Sequence, residues 1–396
     1  MCTSIFSAKG LHIYTILVNF PEELTSNMSE ASMNWSDLPP ELLHLISKKL
    51  NDIIEFVRFR AVCKQWRYDT LLSDPPPQVP WLVDNAPLEV IGEEKMTVRS
   101  LFSDKTHTIH VPAKGPFWAL STGYLLAKKD EHSFSLINPL TSGKEIHLPI
   151  LESNLHDFRP VCHDQRKDFV VVLEAKLENS RQPIVCFCRP GDETWKKTKL
   201  PVLREVFSCL YYNGSCLYLH DSFDNVLSVD AITGSILFFL PLGSINTSTS
   251  TFSFLYSALG PIVEFFGQVL IVRLNLNTDD HVISFEIYQL ELRDDHPDQS
   301  KWVKTSNIGD DSMLFFDYRG NCLSAKTGDS SRLKGNSMYF FECYQDSSID
   351  NDDESSNKYI PCRYDIADGT IEFLSSPLEG PFSWMMPNLF QLGTGN

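Results

Sequence analysis

The sequence predicts a mainly β protein, a β-propeller of about six blades with a small three-helix segment ahead of it. Three observations predict it. Helical periodicity is confined to the stretch before residue 75. Beyond it runs a series of short apolar strands broken by Gly, Asn, Asp and Pro. Within that series, one strand–turn–strand pattern returns at a regular spacing.

Residues 1–32 read as a disordered extension. Their apolar run, Leu11 to Phe20, is interrupted by His12 and Asn19 and is too short to span a bilayer. Lys9 is the only positive charge ahead of it and no small-x-small site follows, so it makes a poor signal peptide. In the next segment, 33–74, Leu38, Leu42, Leu45, Ile46 and Leu50 recur at helical spacing. Leu38 and Pro39 precede prolines and stay extended, whereas Pro40 suits a first-turn position. Glu41 then lies in the first turn and Lys48 and Lys49 in the last, each favourable to the helix dipole. Asp52 followed by Glu55 predicts a capping box for a second helix. Along that helix Ile53, Ile54, Phe56, Val57, Phe59 and Val62 are more apolar than one stripe can hide, and Cys63 and Trp66 continue the apolar surface into a third. So short a stretch is too little to fold around a core of its own and needs either the chain's own domain or a partner to cover it.

Leu38-Pro39-Pro40-Glu41-Leu42, then Ile46 and Leu50, then Arg60, Val62-Cys63-Lys64 and Trp66 resemble an F-box. The resemblance covers roughly a tenth of the chain, and the ordered combination carries it more than any single piece. It implies docking on a Skp-type adaptor, and through it on a cullin-RING ubiquitin ligase. The adaptor-binding set it implies is Leu38, Pro39, Pro40, Glu41, Leu42, Ile46, Leu50, Val62, Cys63 and Trp66. The plainer alternative is a helical cap packed on the domain that follows.

Composition bounds the rest. The chain has 396 residues, 42% apolar and 21% charged, as a folded protein with a sizeable core requires. A net charge of −17 argues against nucleic-acid backbones and anionic membranes as partners. Ten cysteines include no CxxC and no pairs at metal spacing. Cys186 and Cys188 fall on one strand face, and buried, reduced thiols are expected, with a location in the cytoplasm or nucleus.

Asp74-Pro75-Pro76-Pro77 ends the helices, and residues 75–84 read as a linker. The propeller is expected over 85–390. SLINPLTSGKEIHLP from Ser135, LSVDAITGSILFFLP from Leu227 and CRYDIADGTIEFLSSP from Cys362 each run strand, Asn or Asp, a turn ending in Gly, strand, then Pro. Asn or Asp nucleates such a turn and Gly accepts positive φ. Asn138 and Asp230 are 92 residues apart, and Asp230 and Asp365 are 135 apart. Those are near two and three periods of about 45, the length of a four-stranded blade. Degraded copies end at Pro112, Pro201 and near Ile308, with Trp195 and Trp302 opening a final strand. Together these ends predict six blades, with five or seven as the alternatives.

Pro80-Trp81-Leu82, the Ser121-x-Gly123-Tyr124-Leu125 turn, Asn138-Pro139-Leu140-Thr141, Asn336-Ser337-Met338-Tyr339-Phe340 and Trp384-x-x-Pro387 resemble the propeller of a large plant family of F-box/kelch-like proteins. Tyr124 departs from that family's usual Trp. These motifs punctuate blades and carry no chemistry.

Catalytic signals are few. The sequence has no P-loop, GxGxxG or GxSxG. His107 and His110 fall on opposite faces of a strand, and Cys162-His163-Asp164 point apart on an extended chain. Asp346 to Asn357 is carboxylate-dense but lacks the glycine of a calcium loop. It reads as a solvated insertion, as does Asp294 to Asp298. Phe252, Phe254, Tyr256, Phe265 and Phe266 crowd one region, as core or as a propeller face that grips a partner. The expected function is substrate receptor of a Skp-cullin-F-box ligase, without catalytic residues, cofactor or metal. The alternatives are a propeller enzyme or small-molecule binder with a helical cap, or an F-box protein acting outside a ligase.

Overall fold

Pro183–Cys188 is buried at all six positions, because both of its faces are covered. Ile184, Cys186 and Cys188 pack with Leu126, Phe134 and Leu136 of the preceding sheet. Val185 and Phe187 pack with Leu217, Leu227 and Val229 of the following one. This sheet is thus sandwiched between two others, as a blade of a propeller is.

The computed structural model describes residues 38–387 except 51, 72–78, 85–94, 101–105, 112–116, 121, 142–144, 161–169, 179–182, 201–205, 213–214, 222–224, 242–258, 278–280, 294–299, 318–321, 328–332, 345–357 and 380–381. The chain divides into two units, Met1–Val79 and Pro80–Asn396. In the first, three helices are described: α1 (Pro40–Lys48), α2 (Ile53–Arg60) and α3 (Lys64–Asp69).

The second unit is a six-bladed β-propeller. Blade I joins Trp81–Asp84, Lys95–Ser100 and Thr106–His110 to the C-terminal Phe382–Met385. Blade II is Phe117–Ala119, Leu125–Lys128, Phe134–Ile137 and Ile146–His147. Blade III is Leu155–Pro160, Val171–Leu177, Pro183–Cys188 and Lys196–Lys199. Blade IV is Val206–Tyr212, Cys216–Asp221, Asn225–Asp230 and Ile236–Pro241. Blade V is Leu259–Phe265, Gln268–Leu276, Val282–Glu291 and Lys301–Thr305. Blades I to V are antiparallel throughout.

Blade VI departs from the pattern. Ser312–Phe316 runs parallel to Ser337–Tyr344, and Cys322–Lys326 is added on its other side. Lys358–Asp365 and Ile371–Phe373 follow in order, with Leu378–Glu379 also on Lys358–Asp365.

The repeated turns form as their chemistry predicts. Asp230 Oδ1 accepts from the N–H groups of Ile232 and Thr233 at 2.8 and 2.6 Å, and Gly234 takes φ +76°. Asp365 Oδ1 accepts from Ala367 N–H at 3.1 Å, with Gly369 at φ +73°. Asn138 Oδ1 accepts from Leu140 N–H at 3.0 Å.

One expectation changes. Trp81–Asp84, read as the end of a linker, is a strand paired on both sides, with Lys95–Ser100 and with Phe382–Met385. Its partners lie downstream, beyond the reach of local pattern. Between Phe117–Ala119 and Leu125–Lys128, Leu120 N–H donates to Tyr124 O and Gly123 takes φ +83°, at the turn the sequence marks there.

Candidate functional site

The helical unit builds its surface from a small interior. Pro39 precedes α1 with φ −56° and ψ 141°, and Pro40 takes the first helical position, where its missing N–H costs nothing. Asp52 Oδ1 accepts from Ile54 N–H at 2.8 Å and caps α2. Cys63 Sγ accepts from Trp66 N–H at 3.4 Å at the start of α3. Arg60 ties α2 to the end of α3, donating from Nε to Thr70 O at 2.7 Å and from Nη2 to Arg67 O at 3.1 Å. Burial, and after it the Arg67 charge, lowers the pKa of that guanidinium.

Leu38, Leu42, Leu43, Ile46, Phe59 and Trp66 form one apolar cluster, with the rings of Phe59 and Trp66 at 4.5 Å. This corrects the expectation that the segment holds no core of its own. Of the ten residues in the implied adaptor-binding set, Leu38, Leu42, Ile46 and Trp66 lie in that core. Leu50, Val62 and Cys63 are half-buried beside it, and Pro39, Pro40 and Glu41 are exposed. The structure therefore divides the set into a frame and a face.

Four apolar side chains of the helical unit are also exposed. Leu45 is 37% exposed, Val57 38%, Tyr68 81% and Leu71 62%. Spacing alone puts Leu45 in the apolar stripe of this helix. The buried set on α1 is Leu42, Leu43, Ile46 and Ser47, a phase that turns Leu45 outward. The surplus of apolar residues on α2 was the legible signal for Val57.

In the propeller the other candidates stay apart. Among the described residues, no group of three or more His, Cys, Asp or Glu is disposed to hold a metal ion. His107 and His110 sit on the outer strand of blade I. Residues 162–164, 294–298 and 346–357, and with them Phe252, Phe254 and Tyr256, lie outside the described residues. The described cysteines are free thiols, and burial pushes Cys186 up to about 12. Among the described residues, no helix is long and apolar enough to cross a membrane. Phe265 is buried whereas its neighbour Phe266 is exposed.

Known proteins match both units. Residues 98–365 match the profile of the KIB1-4 beta-propeller family, and residues 35–68 match the F-box-like profile. F-box protein At1g69090 of Arabidopsis thaliana is 26% identical over 357 residues, covering 80% of this chain and 84% of that one. F-box protein At2g17690 of the same plant is 56% identical over 34 residues, 9% of this chain and 8% of that one. Among solved structures, TolB of Acinetobacter baumannii aligns at a TM-score of 0.43 and 9% identity, over 81% of this chain and 70% of that one.

Proposed function

We propose, since the chain belongs to the KIB1-4 beta-propeller family and carries an F-box-like segment ahead of the propeller, that it is the substrate-recognition subunit of a Skp-cullin-F-box ubiquitin ligase. The observation that carries this reading is the pairing of an F-box-like unit, with apolar side chains left at its surface, with a separate propeller. In this reading the helices dock a Skp-type adaptor through Pro39, Pro40, Glu41 and the exposed Leu45. Leu38, Leu42, Ile46 and Trp66 hold that face in shape from behind. The propeller recruits a protein target, and the chain contributes proximity while the ligase's other subunits perform the transfer. A location in the cytoplasm or nucleus goes with that role.

Native purification of the tagged full chain tests the reading. Skp-type adaptor and cullin should co-elute with the wild-type protein. Leu45→Asp with Pro39→Ala should cut adaptor yield by about tenfold or more, because a buried carboxylate without a partner is costly. The thermal midpoint should stay in place, since neither side chain is in the core. Wild-type protein that captures no adaptor would sink the proposal. Undiminished capture by the double variant would move the docking face elsewhere.

A further inference from the structure

Blade V opens with a hairpin whose turn breaks a local rule. Phe265 pairs with Gln268, which leaves Phe266 and Gly267 as a two-residue loop. Their φ angles are +47° and +85°, the primed turn that suits the twist of a hairpin. Glycine adopts such angles freely, and asparagine nearly so. A bulky side chain there crowds its own backbone. Blade V carries phenylalanine at the first of the two positions.

Burial does not account for the exception. Phe265 is 6% exposed and fills the core, while Phe266 is 54% exposed. The Phe266 ring meets Phe265 edge-on at 4.7 Å between centroids, and Lys326 Nζ lies 4.2 Å from its centre. Lys326 in turn donates to Asp311 Oδ1 at 2.7 Å and to Ser312 Oγ at 2.9 Å. Glu264 Oε1 accepts from Gly267 N–H at 2.9 Å. The ring therefore stands among two carboxylates and one ammonium. The hydrogen bond from Lys326, followed by that from Ser312, holds the Asp311 carboxyl below its ordinary range and hence ionised at neutral pH.

Backbone strain that persists under an exposed ring marks the ring as used from outside. We propose that Phe266 anchors a basic segment of a partner protein to the propeller, with a guanidinium stacked on the ring and its charge met by Glu264 and Asp311. The inference rests on the proposed function only in taking that partner to be the recruited target. Charge selects the occupant. An aromatic face attracts cations, and the planar guanidinium both stacks and pairs with carboxylates. A purely apolar segment would take water from both carboxylates and offer them no charge in return. A second copy would bring another net charge of −17 against the first.

The test uses the full chain, a fluorescein-labelled oligo-arginine peptide and the variant Phe266→Asn, read by anisotropy across a salt series. The substitution leaves charge unchanged, so general attraction to the acidic chain is common to both proteins. The variant should bind about three- to fivefold more weakly, with the ratio surviving as salt screens the general attraction. Its thermal midpoint should equal or exceed that of the wild type, because asparagine relieves the turn. Equal affinities, or no binding by the wild type, would overturn the proposal. So would a clear fall in the midpoint, which would make the ring a structural element. Adaptor capture, measured on the same two proteins, should be equal. Its absence in both would count against the ligase reading and leave the docking result standing.

Discussion

Glu342 shows how a single side chain sets a pH response. It lies buried on Ser337–Tyr344, and its Oε1 meets Nδ1 of His281, from the adjoining blade, at 2.7 Å. Val282 N–H donates to its two oxygens at 3.3 and 3.4 Å. Burial is the largest influence and raises its pKa above the ordinary 4.5, while His281 and Val282 pull the other way. A carboxyl whose folded pKa is raised favours the fold when protonated. That contribution is complete below its unfolded pKa and is lost as pH rises through the folded one. Glu342→Gln should therefore gain stability relative to the wild type as pH climbs from below 4.5 toward neutrality. Paired urea melts across that range would show it, and a constant difference would mean that His281 compensates fully. The sequence YFFECY gives no sign of this, because the burial of Glu342 depends on a neighbouring blade.

Among elements, the helices divide labour between a frame and a surface. Trp66→Ala empties the centre of a cluster of six buried side chains and should cost about 3–5 kcal/mol. Tyr68→Ala, two residues on and 81% exposed, should stay within about 0.5 kcal/mol. Far-UV circular dichroism on both variants separates them, and equal helical losses would place Tyr68 in the frame. The helix start at Pro40 and the cap at Asp52 were legible because each depends on adjacent residues. The Asp230 and Asp365 turns were legible for the same reason. The phase of α1 was not, since Leu43 and Leu45 are chemically identical and only packing decides which is covered. Nor was the parallel strand pair of blade VI. There Gly335 passes so close to Asp310 that a Cβ would lie 1.8 Å from its carbonyl oxygen, a contact made across chain segments.

At the scale of the whole propeller, the ring is held shut by one strand. Phe382–Met385 pairs with Trp81–Asp84, and Trp384 donates from Nε1 to Phe316 O at 3.0 Å. The Trp384 ring also lies 5.0 Å from those of Phe315 and Phe341, which joins the last blade to the first. Ending the chain at residue 381 should leave the edge of Trp81–Asp84 open and expose these rings. Thermal melts should then show a midpoint lower by about ten degrees or more and a broadened transition. An unchanged midpoint would mean that the ring closes without its seam. The spacing of turn motifs foretold the number of blades, and Trp384-x-x-Pro387 was visible as a motif. Its partner strand was not, because pairing across most of the chain leaves no local trace.

That seam gives the protein a history as well as a shape. Its two halves, Trp81–Asp84 and Phe382–Met385, are separated by about 300 residues of chain. At a synthesis rate of about 5–20 residues per second, roughly 15–60 seconds pass between the making of one and the making of the other. Throughout that interval the first blade waits without its inner strand, and a hydrogen-bonding edge beside Trp81, Leu82 and Val83 stands open to any other nascent chain. Slower translation lengthens that wait, so the yield of closed rings should fall with the pace of the ribosome before any mutation is made.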